Sequence, residues 1–140
     1  MIESLNIISE AERLENLWSN TFGDAYVARN WNAGETRGAF WQEVLTEFPV
    51  EHVLEVGCNI GANLRWVASH IPNRDIYGVD INQKALGELH TRLSDINAVW
   101  SSSRALPFRD NWFDLVFTMG VLIHQPPEML SAVMSEIVRC

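Results

Sequence analysis

The sequence predicts an α/β fold with a doubly wound, mainly parallel sheet in the strand order 3-2-1-4. From residue 51 onward, short apolar runs rich in β-branched residues alternate with amphipathic stretches of helical period. A glycine-containing turn joins the first of these runs to the helix that follows it. Strands that alternate with helices of this length form βαβ units, whose crossovers are right-handed in nearly all cases. The length of 140 residues suits one such domain.

Residues 1–50 are predicted to form a helical segment in front of the sheet. Ser9 and Glu12 make a capping-box pattern that opens the first helix. The glycine–aspartate pair at residues 23–24 is expected to interrupt the helical pattern. A second helix is predicted over residues 36–48, where apolar side chains recur at helical spacing before a proline.

Residues 51–140 carry the predicted sheet. Helices are expected between the strands, with Asn82 as an N-cap and Pro127 in the first turn of the last helix. That last helix is expected to turn five apolar side chains inward: Leu130, Val133, Met134, Ile137 and Val138. The strands are predicted at residues 52–58, 75–81, 97–103 and 113–120.

Composition excludes several classes of function. The net charge of −8 argues against nonspecific binding of nucleic acid or of an anionic membrane surface. Cys58, Cys140 and the four histidines show no metal-ligand spacing, so no metal is expected. No stretch reaches the roughly 20 apolar residues that a membrane helix needs. We therefore expect a cytoplasmic protein that acts without metal, membrane or nucleic acid.

The turn after the first strand predicts a ligand site. Gly57 and Gly61 allow positive φ and a close approach to a ligand, and Asn59 tolerates the left-handed region better than most residues. The spacing fits the dinucleotide pattern G-x-G-x-x-G poorly. It is similar instead to the first motif of class I S-adenosylmethionine methyltransferases, E/D-x-G-x-G-x-G, because Glu55 stands two residues before Gly57. A carboxylate repels a pyrophosphate and attracts an ammonium group, although Glu55 could also cap a turn or pair with an arginine.

Asp80 ends the second predicted strand, at the position where a carboxylate can accept both hydroxyls of a ribose. Ile81, which follows it, would then pack on one face of an adenine. Enzymes that use NAD share this carboxylate, so Asp80 alone does not separate the two ligand classes. Its other interpretation is a carboxylate stabilised by the positive end of a helix.

Four further segments strengthen the likeness to class I methyltransferases. Residues 106–108 (LPF) and 113–117 (FDLVF) resemble the methyltransferase type 11 branch of that family. Residues 22–30 (FGDAYVARN) and 120–124 (GVLIH) resemble the smaller subfamily of pseudaminic acid biosynthesis-associated methylases. The resemblance implies a Rossmann-like fold, S-adenosylmethionine as cofactor, and a small-molecule acceptor such as a nonulosonate sugar or its biosynthetic intermediate.

The resemblance also implies roles for individual residues. Glu55, Gly57 and Gly61 would cradle the methionine part of the donor, and Asp80 would hold the ribose. Near the adenine the family usually has an acid where this chain has Ser102, a departure that leaves a weaker acceptor. The backbone near Met119 would meet the donor's amino group. The segment 1–50, through Tyr26 and Arg29, would fold over the donor as a lid, or else simply pack on the sheet.

His124 has two interpretations. At the end of the fourth strand segment it could be the general base for a hydroxyl or amine acceptor. Alternatively, it hydrogen-bonds the loop and shapes the pocket. Two rival functions also stay open: a module that binds the donor without catalysis, and an NAD-dependent oxidoreductase.

The family has seven strands, and the sequence supplies four. We therefore expect a chain truncated before β5, β6 and β7, with an incomplete acceptor pocket. The fourth strand would then be an open edge, and open edges promote pairing with a second chain. Self-association through this edge and little transferase activity are the expected consequences.

Overall fold

A computed structural model describes residues 8–140. The helices and strands follow in chain order, with 3-10 turns at Asn73–Asp75 and Leu122–His124: α1 (Glu10–Ser19), α2 (Thr21–Arg29), α3 (Gly38–Glu47), β1 (Val53–Val56), α4 (Leu64–Val67), β2 (Ile76–Asp80), α5 (Gln83–Arg92), β3 (Asn97–Trp100), β4 (Leu115–Thr118) and α6 (Pro127–Arg139). The first seven residues of the predicted segment 1–50 lie outside the described part.

The predicted sheet is confirmed in fold class and strand order. β1 pairs in parallel with β2 on one side and with β4 on the other, and β3 extends the sheet beyond β2, giving the order 3-2-1-4. β1 is therefore central, and all four of its side chains are buried. Within residues 8–140, β4 has a neighbouring strand on one side only.

Helices cover both faces of the sheet. On one face, Val53 of β1 packs in a cluster with Trp41 of α3, Leu64 of α4 and Leu89 of α5. On the other face, Leu54 and Val56 pack in a second cluster, to which α6 contributes Ile137. Because side chains alternate along a strand, Glu55 lies on the same face as Val53. This places the Glu55 carboxylate beneath α3 and α4.

The interruption predicted at residues 23–24 is wrong, because both residues lie inside α2. Gly23 is buried against the last turn of α1, and a Cβ there would sit 1.8 Å from the carbonyl oxygen of Trp18. The glycine permits this close contact between helices instead of ending a helix. Asp24 accepts a hydrogen bond from the side chain of Asn82 at 3.0 Å, which joins α2 to the start of α5.

Both predicted N-terminal caps are present. Ser9 and Glu12 make the reciprocal bonds of a capping box. The Asn82 side chain accepts from the backbone N–H of Ala85 at 2.8 Å, and Pro127 lies in the first turn of α6. Asn82 therefore both caps α5 and binds α2 through Asp24.

The inward face predicted for α6 is partly wrong. Val133 is fully buried, and Leu130 and Ile137 are half-buried on the same helical face. Met134 and Val138 are 42% and 77% exposed. Met134 follows Val133 and Val138 follows Ile137, so both side chains point away from the buried stripe. A surface helix contacts the sheet through one such stripe.

No helix in residues 8–140 is long and apolar enough to cross a membrane.

The backbone at Gly61 generates a stability prediction. Its φ is +79°, and a Cβ there would lie 2.4 Å from a methyl carbon of Leu89, which is buried. We expect Gly61→Ala to lower the free energy of unfolding by about 1–3 kcal/mol, because alanine rarely adopts this conformation. Urea denaturation followed by circular dichroism measures the change.

Gly87→Ala is the matched control. Gly87 lies in α5, and a Cβ there would meet no atom of the described residues within 4 Å. We expect it to raise stability by about 0.5–1 kcal/mol, since glycine is a poor helix former. Equal effects of the two substitutions would contradict the conformational argument.

Candidate functional site

The carboxyl ends of the four strands open into one cavity of about 270 Å³. Residues at or after the ends of all four strands line it, among them Gly57, Ile81, Ser101 and Met119. The helices in front of the sheet supply the opposite wall, through Trp18 of α1 and Tyr26 of α2. Ligands of open α/β sheets bind at this edge, where the strand order changes direction.

The predicted glycine loop takes the expected conformation. Gly57, Asn59 and Gly61 have φ of +78°, +48° and +79°, so Asn59 does adopt the left-handed region. A Cβ on Gly57 would lie 2.1 Å from a methyl carbon of Val121. The backbone N–H of Asn59 donates to the Asp80 carboxylate at 2.8 Å, which ties the loop to the end of β2.

Glu55 is a buried carboxylate with one unused oxygen. Its side chain is 2% exposed and borders the cavity. Asn63 donates to Oε1, while Oε2 has no hydrogen-bond partner among residues 8–140. Burial raises the pKa of Glu55 to about 8, and the bond from Asn63 and the charge of Arg37 oppose that rise. A buried polar atom without a partner is unfavourable, so Oε2 is a place for a cationic donor group to bind.

Asp80 also borders the cavity, and it holds the surrounding backbone in place. Its two oxygens accept from the N–H groups of Asn59 and Asn82, each at 2.8 Å. Burial raises the pKa of Asp80, and these backbone bonds oppose the rise. Each oxygen keeps a further lone pair that a hydroxyl group can use.

Three of the predicted site residues lie outside the lining of the cavity. Gly61 is buried behind the loop against Leu89. Arg29 is exposed, with its guanidinium 5.8 Å from the centre of the Phe22 ring. Ser102 directs its hydroxyl to Glu15 of α1, at 2.5 Å. Their predicted contacts with a donor stay predictions.

Glu15 is a site residue that sequence reasoning missed. It lines the cavity and accepts hydrogen bonds from Ser102 and Arg104. Burial raises the pKa of Glu15, but these two bonds and the Arg104 charge outweigh burial and lower it. A carboxylate from α1 therefore stands beside Ser102, the position where the resemblance implies an acid. Nothing in the local pattern of α1 marks this residue.

Tyr26, Ile81, Met119 and His124 do line the cavity together. His124 is exposed at the end of the 3-10 turn that follows β4. Its ring lies 4.6 Å from that of Trp18, the centroid distance of a tilted aromatic pair. α1 therefore contacts both sides of the cavity mouth, through Glu15 at the β3 side and Trp18 at the β4 side.

Sequence reasoning also missed Asn63 and Arg37. Asn63 is 3% exposed and bonds to Glu55, and Arg37 donates to Asn63 at 2.8 Å. A buried carboxylate requires such partners, but the requirement does not say which asparagine or arginine supplies them. Among the described residues, no group of three or more His, Cys, Asp or Glu side chains is placed to hold a metal ion.

Comparison with known proteins agrees with this geometry. A family model described as "Methyltransferase domain" matches residues 53–140. That range is more than half of the chain and contains all four strands. The chain belongs to the methyltransferase domain family.

Individual relatives show how much of a longer protein the chain resembles. It is 31% identical over 97 residues to 24-methylenesterol C-methyltransferase 2 of Arabidopsis thaliana, covering 65% of the chain and 26% of that protein. It is 42% identical over 50 residues to the tRNA (guanine-N(7)-)-methyltransferase of Stenotrophomonas maltophilia, covering 36% and 20%. The chain thus spans about a quarter or less of these two proteins' length.

One solved structure illustrates the fold. It is CalS10, an amino pentose methyltransferase from Micromonospora echinaspora solved with S-adenosylmethionine bound. The TM-score is 0.64 at 19% identity, and the match covers 84% of this chain and 50% of that one. This likeness supports the Rossmann-like methyltransferase fold.

The raised pKa of Glu55 generates a prediction about stability and pH. In the unfolded chain Glu55 ionises near its ordinary pKa of 4.5, whereas in the folded, ligand-free protein it keeps its proton up to about pH 8. The folded state therefore holds more protons between these values, and stability falls as pH rises through this window. Glu55→Gln removes the effect while keeping the shape of the side chain.

We expect the wild type to lose a few kcal/mol relative to Glu55→Gln between about pH 5 and pH 8, since one pKa unit corresponds to about 1.4 kcal/mol. Urea unfolding of both proteins across this range measures the difference, and the comparison cancels the titration of other groups. A difference that does not change with pH would show that Glu55 is ionised in the empty site.

Proposed function

We propose that this chain binds S-adenosylmethionine in the cavity and contributes to transfer of its methyl group to a small-molecule acceptor. The observation that carries the proposal is the unpartnered Oε2 of Glu55, which borders the same cavity as Asp80 in a chain of the methyltransferase domain family. One carboxylate is suited to an ammonium group and the other to the hydroxyls of a ribose.

The residues present fit this cofactor. Glu55 would hold the ammonium group of its methionine part, and Asp80 would hold the ribose. Ile81 lines the cavity next to Asp80 and offers an apolar surface to the adenine. The positive φ at Gly57 and Asn59 brings backbone, without bulky side chains, to the wall between the two carboxylates.

S-adenosylmethionine supplies a methyl group that its positive sulfur already activates, so the protein contributes mainly orientation and exclusion of water. Glu55 and Asp80 would fix the two ends of the bound molecule. Residues 51–140 would form the binding domain, and residues 1–50 would act as its lid. The contacts of Glu15 and Trp18 across the cavity mouth support the lid, because they join α1 to the loops after β3 and β4.

The acceptor is proposed to be a small molecule, with a nonulosonate sugar or its biosynthetic intermediate as the specific candidate. The sugar rests on the resemblance of residues 22–30 and 120–124 to pseudaminic acid-associated methylases. The relatives include enzymes named for a sterol and for a tRNA, so their names do not select the acceptor. The net charge of −8 favours a small molecule over RNA, since phosphates repel an acidic surface.

His124 is proposed as the general base for an acceptor that must lose a proton. It lines the cavity beside Met119, at the β4 side where the acceptor would enter. Its ring is held against Trp18 and its backbone by the 3-10 turn, which restricts its orientation.

Calorimetry with S-adenosylhomocysteine, the demethylated product, tests the binding proposal. We expect this ligand to bind and NAD to fail to compete, because the carboxylate form of Glu55 pairs with an ammonium group and would repel a pyrophosphate. Asp80→Asn should weaken binding about 10- to 100-fold, since hydrogen bonds to a charged group contribute about 1.5–3 kcal/mol. Competition by NAD would instead favour an oxidoreductase.

Asp75→Asn is the matched control for Asp80→Asn. Asp75 precedes the opposite end of β2, so the same charge is removed from outside the cavity. We expect unchanged affinity in the control and melting temperatures that show both variants folded. Unchanged affinity in Asp80→Asn would overturn the ribose assignment.

Transfer of a labelled methyl group to the small-molecule fraction of a cell extract tests His124. His124→Asn should lower the rate about 10²-fold while leaving affinity for S-adenosylhomocysteine within about twofold, as expected for loss of a general base. His70→Asn, an exposed histidine outside the cavity lining, is the control. A rate within a few-fold of wild type would leave His124 a loop residue, and binding without any transfer would favour a noncatalytic module.

A further inference from the structure

A line of buried hydrogen bonds connects the N-terminal helices to Glu55. The Asn63 side chain donates from Nδ2 to Oε1 of Glu55. Its own Oδ1 accepts from the guanidinium of Arg37 at 2.8 Å and from Nε1 of Trp41 at 3.4 Å. Trp41, Glu55 and Asn63 are each at most 3% exposed. Arg37 and Trp41 lie at the start of α3, before the sheet begins.

The two donors determine which way the Asn63 amide faces. An asparagine side chain has one accepting end and one donating end. Arg37 and Trp41 can only donate, so the oxygen of Asn63 must face them and its NH₂ must face Glu55. A flipped amide would place donor against donor on one side and oxygen against carboxylate on the other. The contacts of α3 therefore fix the amide that holds Glu55.

The same network leaves one oxygen of Glu55 for a ligand. Oε1 is occupied by Asn63, and Oε2 is buried at the cavity wall without a partner in the described part of the chain. Three charged or titratable groups act on this carboxyl: Arg37 from α3, Asp80 from the end of β2, and the buried thiol of Cys58. Arg37 is the cation among them, so it favours the carboxylate form that burial and Asp80 disfavour.

We propose that Arg37 and Asn63 are positioning residues that hold Glu55 in the orientation required by a cationic ligand group, and that ligand binding releases the proton of Glu55. The inference rests on the proposed function, because the cation is the ammonium group of the methyl donor. Without a ligand, Glu55 keeps its proton below about pH 8. When the ammonium group binds at Oε2, the O–H bond of Glu55 breaks, the carboxylate remains, and the proton passes to the solvent buffer.

Calorimetry of S-adenosylhomocysteine in buffers of low and high ionisation enthalpy tests the proton release. We expect nearly one proton released per ligand at about pH 6.5 and progressively less as pH passes the pKa of about 8. Affinity should rise up to about tenfold per pH unit below that value and then level off. Glu55→Gln should bind more weakly and release no proton.

Arg37→Gln separates positioning from general support of the fold. It keeps a hydrogen-bond donor and removes the charge, so the pH at which affinity levels off should move upward and affinity at about pH 7 should fall up to about tenfold. Arg37→Lys keeps the charge and should restore the midpoint. Arg74→Gln, which removes the charge of an exposed arginine after Pro72, should leave the profile unchanged.

Each outcome decides between separate claims. If the wild type binds no S-adenosylhomocysteine, the proposed function fails. If it binds without proton release and with no dependence on pH, the proposed function stands and this inference is overturned. A fall in affinity that is equal at every pH in Arg37→Gln would reduce Arg37 to a structural residue. Should Arg37→Gln not fold, Asn63→Leu provides the test, because it removes the amide that joins Arg37 to Glu55. A pH profile of Asn63→Leu that matches the wild type would overturn the positioning role.

Discussion

A carboxylate removed from water at the end of the central strand is the constraint on which the site depends. Glu55 lies between Val53 and the glycine loop, in a strand whose four side chains are all buried. A carboxylate without water is costly unless other groups replace the lost hydrogen bonds. Asn63 replaces one of them and Oε2 lacks the other. The unpartnered oxygen therefore imposes a local cost that a bound cation would relieve.

This constraint explains several features around the carboxylate. The buried side chain of Asn63 donates a hydrogen bond to Glu55. Its own oxygen also requires partners, and the N–H groups of Arg37 and Trp41 donate to it. The positive φ at Gly57 turns the chain directly after β1, which keeps backbone and not side chain at the wall of the cavity. The buried carboxyl group makes the protein less stable than an apolar side chain at position 55 would. Such a loss of stability in favour of function is common at binding sites.

The N-terminal helices form the front wall of the site through contacts at three places. Gly23 lets α2 lie close against α1, and Asp24 binds the Asn82 cap of α5. Glu15 reaches the loop after β3 at Ser102, and Trp18 meets His124 after β4. The wall is polar on one side of the cavity mouth and aromatic on the other. An adenosine at the β3 side would contact polar groups, whereas a methyl acceptor at the β4 side would contact aromatic rings.

The sequence by itself determined the alternation of strands and helices, the caps of α1 and α5, the glycine loop, and Glu55 and Asp80 as carboxylates at the ends of β1 and β2. These features are encoded locally, in periodicity, in spacing and in residues such as Asn59 that tolerate positive φ. The strand order 3-2-1-4 was also predicted correctly, although right-handed crossovers restrict the possible topologies without fixing the order. Two predictions from local pattern were wrong. Gly23 permits a contact between two helices and does not end a helix, and the face of α6 that contacts the sheet is narrower than predicted.

Only the tertiary structure decided which groups form hydrogen bonds with the buried carboxylates. Glu15 and Ser102 are 87 positions apart, and Arg37 and Asn63 are 26 apart, so no short-range pattern links them. Burial demands that a polar group be satisfied, but many asparagines, serines and arginines could satisfy it equally well in principle. Which residues become the partners depends on how α1 and α3 pack on the sheet. That packing results from the shapes of many side chains together, so no single segment of the sequence determines it.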